Sequence, residues 1–129
     1  MRFARWVFAV AGLCGLAVIV PPYFMEERFG LEHPPAVNHP EFYYGFMGVT
    51  LAWQFLFLLI AYDPIRYRLA MLPAMVEKIS FVAAVFSLYA LHRVSGSIVG
   101  FAVLDAMWFV LFAISLLRTP HAREKMERI

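Results

Sequence analysis

Residues 69–91 read LAMLPAMVEKISFVAAVFSLYAL, and the fold turns on where a helix begins in them. Taken as one helix from Leu69, the stretch can cross a bilayer, which needs about 20 mostly apolar residues. Started at Ile79, beyond the charged pair Glu77-Lys78, it is too short. Pro73 falls in the first turns of the longer helix, where a missing N–H costs little. The longer helix is therefore expected, and it carries an acid inside the hydrocarbon.

Working outward, three more apolar runs have bilayer length: Phe3–Val20, Phe42–Ala61 and Ser97–Leu117. Tyr62-Asp63-Pro64 ends the second, because the residue before proline avoids the helical region. Ser95-Gly96 breaks the chain before the fourth. Arg2 and Arg5 ahead of an apolar run imitate a signal peptide. However, no small-x-small site precedes Pro21-Pro22, and Leu13 before Cys14 spoils a lipoprotein site, so an uncleaved span is expected.

Composition agrees. Of 129 residues, 63% are hydrophobic and 16% charged, with a mean hydropathy of +0.72. A soluble domain is about half apolar and roughly a quarter charged, and one this small cannot hide so much apolar surface. The expected fold is an all-α membrane protein: a single domain over residues 1–129, a four-transmembrane-helix up-down bundle. The single cysteine, Cys14, excludes an internal disulfide and is expected to be a small buried hydrophobe. A net charge of +2 gives no reason to expect nucleic acid as a partner.

Basic residues orient the spans. Arg2 and Arg5, Arg66 and Arg68, then Arg118, Arg123, Lys125 and Arg128 fall on one side. The other side holds Arg28 and Arg93 with Glu26, Glu27, Glu32 and Glu41. Both termini are thus expected in the cytoplasm, with Arg66 and Arg68 as phospholipid anchors. The outer connection, Pro21 to Glu41, has Pro22 before Tyr23–Phe29 and Gly30 after it. Proline first and glycine last predict a short interfacial helix over the bundle's outer mouth. Glu32, His33, His39 and Glu41 in this connection match no defined metal spacing.

Two acids stand several turns inside spans, Glu77 in the third and Asp105 in the fourth. Ionised carboxylates in hydrocarbon are costly unless paired, protonated or solvated. Each lies eight residues from the start of its span, so ~12 Å deep from opposite edges at about 1.5 Å per residue. In a core roughly 30 Å thick their heights differ by ~6 Å. Ala70, Ala74, Glu77, Ser80, Ala84, Ser87 and Leu91 share a stripe expected to face the bundle, since small residues let membrane helices approach. Ser97, Phe101, Asp105, Trp108, Phe112 and Ser115 form its counterpart. On the second span Thr50 and Gln54 align, while Gly45, Gly48 and Ala52 offer a separate packing face. Lys78, about 100° from Glu77, is expected to snorkel to the headgroups. With no base beside them, at least one acid is expected to be neutral and to donate a hydrogen bond across the helices.

Glu77, Asp105, Gln54 and Trp108 are thus the candidate ligand-binding residues, converging on a pocket for a small apolar or lipid-like molecule. No catalytic set, metal set or cofactor motif is expected. Two other readings stand beside the pocket. One is an enzyme using Glu77 or Asp105 as proton donor to an apolar substrate. The other is an accessory subunit docking a membrane protein, or a second copy, through Gly45-Gly48-Ala52 or Gly96-Gly100.

Met75-Val76-Glu77-Lys78-Ile79-Ser80-Phe81 and Leu104-Asp105-Ala106-Met107-Trp108, on this span plan, resemble small bacterial four-span proteins of the DoxX-like kind. That resemblance implies an inner-membrane protein and carries no activity. Leu116-Leu117-Arg118-Thr119-Pro120 and the aromatic second span with Gln54 are more faintly similar to the EXPERA-type domain. There, intramembrane carboxylates line a ligand cavity, but the acidic positions do not align.

Overall fold

Prolines punctuate the helices of the computed structural model, which describes residues 1–129 apart from the side chain of Lys125. The contribution of Lys125 to the basic side lies outside the described residues. Helix α1 spans Arg2–Tyr23, α2 Glu26–Glu32, α3 Pro40–Tyr62, α4 Met71–Ala90, α5 Gly96–Arg118 and α6 Ala122–Glu127; a 3-10 turn, Arg68–Ala70, leads into α4. Helix α3 starts on Pro40, whose absent N–H is one the first turn leaves unpaired anyway. It stops before Asp63-Pro64, as the sequence predicts. Four helices, α1, α3, α4 with its 3-10 turn, and α5, are long and apolar enough to cross a membrane.

The connection from Pro21 to Glu41 departs from expectation. Pro21 and Pro22 lie inside the last turns of α1 instead of opening a new helix. The end is closed by the Phe24 and Met25 N–H groups, which donate to the Pro21 and Pro22 carbonyls at 3.1 Å. Helix α2 starts later, at Glu26, and contains Gly30, which is needed for approach instead of termination. A Cβ there would lie 3.1 Å from the Ala36 backbone. Glu26 and Glu27 in its first turn complement the helix dipole. At the far end of α4, His92 takes a left-handed conformation (φ 56°) where glycine is usual. The Arg93 N–H then reaches back to the Leu88 carbonyl at 2.8 Å.

Helix α1 packs along α3 and α4 along α5. The two pairs join through α1 and α5, while α3 and α4 barely touch despite their short connection. At the junction Phe8, Phe57 and Phe112 are fully buried. Phe8 stacks on Phe112 at 4.2 Å between centroids, and Phe57 meets Phe112 edge-on at 5.1 Å. Such pairs add roughly 0.5–1.5 kcal/mol beyond their buried area. Ala4, Val7, Ala11, Ile60, Met71, Ala74 and Trp108 complete the core. Large apolar side chains including Trp6, Leu13, Phe55, Val76 and Val103 point outward, as suits a chain whose solvent is lipid. Cys14 is also exposed, contrary to the buried role expected of it.

The buried face of α4 is one residue out of phase with the expected stripe. Met71, Ala74, Lys78 and Val85 are buried and Phe81, Val82 and Leu88 half-buried, whereas Ser80, Ala84 and Ser87 are exposed. Larger apolar residues recurring at three and four outweigh the small ones. On α5 the expected face holds from Asp105 through Trp108 and Phe112 to Ser115. Nearer the helix start, Ala102 is buried and Ile98 half-buried, in place of the exposed Ser97 and Phe101.

Candidate functional site: a buried charge cluster

That phase shift sets the chemistry of the site, because it turns Lys78 inward. Its ammonium donates a hydrogen bond to Asp105 Oδ1 at 3.2 Å and lies 3.3 Å from Glu77 Oε2. It also stands 5.2 Å from the centroid of the Phe57 ring, close enough for a cation–π attraction. The side chains of Lys78, Glu77 and Asp105 are 8, 16 and 19% exposed. The snorkelling lysine is thereby corrected. Nine residues past Leu69, Lys78 starts ~13 Å deep, and two carboxylates and a ring face compensate its burial there.

Lys78 thereby places beside both acids the base that the sequence reading had pointed elsewhere. Asp105 on α5 takes the hydrogen bond, while Glu77 makes charge contact without hydrogen-bond geometry, so its buried Oε2 has no donor. With all three groups ionised, the cluster carries a formal charge of −1. A buried ion pair gains little net stability, since desolvation offsets attraction, but removing one partner costs about 3–5 kcal/mol.

The structure brings together two of the four candidate residues, Glu77 and Asp105. Trp108, one turn beyond Asp105, packs instead against Phe112 at 6.3 Å between centroids. Gln54 belongs to another contact. Its Nε2 donates to the Thr50 carbonyl at 2.9 Å, and its Oε1 fills the space a Cβ on Gly15 would occupy. Lys78 and Phe57 were the missed members. Their signal was present in the 3-4-3-4 recurrence Met71, Ala74, Lys78, Phe81, Val85, which small-residue spacing masked.

A second polar cluster lies at the end of the fold that holds both chain termini. Arg68 donates to the Thr119 carbonyl at 2.8 Å and the Leu116 carbonyl at 3.1 Å, satisfying groups that the end of α5 leaves open. Arg68 is thus committed to the protein and not to a lipid headgroup. Arg118 stands 4.8 Å over the Phe3 ring. In the connection between α1 and α3, His39 Nδ1 meets Glu41 Oε1 at 3.1 Å, and His33 packs on Phe29.

No family model, curated protein or solved structure matches the chain.

Proposed function

We propose that the protein is an accessory subunit of a larger membrane assembly, its four long helices forming an up-down bundle with both termini in the cytoplasm. One observation carries this reading: small residues suited to close helix packing stand on the outside. A Cβ on Gly45, Gly48, Gly96 or Gly100 would meet nothing within 4 Å, and Ser80, Ala84 and Ser87 are exposed. In lipid such faces are where another helix can approach.

Contact order supports the up-down arrangement. Phe8 meets Phe57 while Pro22 accepts from Tyr43, so α1 and α3 run oppositely. Lys78 meets Asp105 and Arg68 meets Thr119, so α4 and α5 do too. Arg118 over Phe3, with Arg68 at the end of α5, draws the basic segments to one side, which the positive-inside rule assigns to the cytoplasm. The DoxX-like resemblance makes the bacterial inner membrane the expected location. Helix α2 is assigned to the outer interface, where Tyr44 donates to Glu26 at 2.8 Å.

The pocket reading requires open space between Glu77 and Asp105, and the Lys78 ammonium stands in it. Proton donation to an apolar substrate requires the same space. Native mass spectrometry of gently extracted protein tests the proposal. A stoichiometric protein partner is expected. A bound lipid-like molecule without a protein partner would return the pocket reading to first place, and turnover of such a molecule would favour the enzyme.

A further inference from the structure

The end of the fold that holds both termini carries guanidinium groups with no acid to meet them. Arg2 and Arg5 in the first turns of α1 and Arg118 in the last turn of α5 are exposed. The first turn of α1 holds no acid. Among the described side chains, none of the three arginines forms an ion pair. Two acids at this end are engaged elsewhere: Glu124 lies 3.5 Å from His121, and Asp63 accepts from the Arg66 backbone N–H at 3.2 Å. A guanidinium keeps its proton at any pH the chain meets, so these are standing charges.

One of the three is held in place. The Arg118 guanidinium stands 4.8 Å over the Phe3 ring, within cation–π range, and Phe3 packs on the buried core. Phe3 lies between Arg2 and Arg5 in sequence, so this contact brings the end of α5 to within about one helical turn of both. The ring attracts the cation without using its N–H donors. Arg68 at the same end gives its own donors to Thr119, Leu116 and His121, whereas no described group accepts from Arg118.

We infer that Arg118, held on Phe3 with Arg2 and Arg5 close by, binds the phosphate of an anionic phospholipid. A phosphate accepts paired N–H bonds from a guanidinium and supplies the negative charge this end lacks. Arg118 closes a span, which sets it at headgroup level. Leu117 beside Arg118 and Trp6 beside Arg5 are 82 and 72% exposed, offering acyl chains an apolar surface that a free phosphate cannot use. The inference depends on α5 crossing the bilayer, and not on the accessory-subunit reading or on which side is cytoplasmic.

The test places the full chain in nanodiscs of phosphatidylcholine and phosphatidylglycerol in equal amounts. Native mass spectrometry of the released protein counts the lipids it retains. Phosphatidylglycerol is expected to stay bound in preference to phosphatidylcholine. Arg118→Gln should weaken that retention about fivefold. Phe3→Leu, which leaves every charge in place, should weaken it about threefold, and Phe3→Tyr, which keeps the ring, should preserve it. Arg93→Gln, which removes a cation from the connection between α4 and α5, should change nothing.

Equal retention of the two lipids overturns the inference, as does a preference that survives Arg118→Gln. A loss with Arg118→Gln but not with Phe3→Leu also overturns it, since basic charge alone would then hold the lipid. Release by excess inorganic phosphate would do the same by assigning the site to a soluble anion. A lipid lost with Arg118→Gln is distinct from a molecule held between Glu77 and Asp105, so the accessory and pocket readings stand or fall separately.

Discussion

The α1–α3 pair and the α4–α5 pair solve one problem by opposite means. In lipid, helix contact gains little from the hydrophobic effect, so close packing or polar bonds must hold helices together. The first pair uses closeness. A Cβ on Gly12 would fall 2.9 Å from Leu58 and 3.0 Å from the Gln54 carbonyl oxygen, and one on Gly15 would overlap Gln54 itself. The second pair has no glycine at its contact, since Gly96 and Gly100 are open. It is joined by Lys78 to Asp105 mid-helix and by Arg68 at the end of α5. The first device tolerates no added atom. The second tolerates no removed charge.

The largest effect should come from removing that charge. Lys78→Met leaves two buried carboxylates uncompensated and should cost about 3–5 kcal/mol in an unfolding titration in detergent micelles. Glu77→Gln/Lys78→Met/Asp105→Asn should recover most of the loss, because no charge is then stranded. If the triple variant stays as unstable as the single one, packing rather than charge holds the second pair. Next, Gly15→Val should destabilise the first pair by about 1–3 kcal/mol through overpacking, and adding Gln54→Ala should relieve it by clearing the space. Absence of relief would mean the close approach is not governed by Gln54.

Smaller again, Gln54→Met removes a bond to the Thr50 carbonyl within its own helix and keeps the volume. A loss of about 0.5–1.5 kcal/mol is expected, and a larger one would show that Gln54 serves the charge cluster after all. The smallest effect belongs to the open faces: Gly48→Leu and Ala84→Leu should each change stability by less than about 0.5 kcal/mol. A larger loss from either would mean that the face packs within the chain.

The four long helices and the stop of α3 before Asp63-Pro64 were legible in the sequence because they rest on strong local signals, whereas the run of α1 through Pro21-Pro22, the start of α3 on Pro40 and helix α6 were not read from it. Rotation about the helix axis was harder. One residue is a step of about 100°, and choosing small residues over large ones on α4 turned Glu77 inward and Lys78 outward. The glycines show why. Gly12-Leu13-Cys14-Gly15 and Gly45-Phe46-Met47-Gly48 have the same spacing, yet the first is packed and the second open. The local pattern grants permission to approach, and only the neighbouring helix decides whether it is used. The acids were found as a pair because depth follows from helical rise. The cation between them was missed because its direction does not.

The 27-residue separation of Lys78 and Asp105 bears on how the chain is made. As α4 leaves the ribosome, it presents Glu77 and Lys78 to the insertion machinery with neither carrying its final partner. A charged residue at the centre of a helix adds about 2.5–3.5 kcal/mol to insertion, so α4 alone is a poor candidate to settle in the bilayer. The partner carboxylate arrives only with α5, after the short connection that follows Ala90. Joint entry of α4 and α5 as a hairpin is therefore the expected route into the bilayer, since only the pair carries the ion pair within itself.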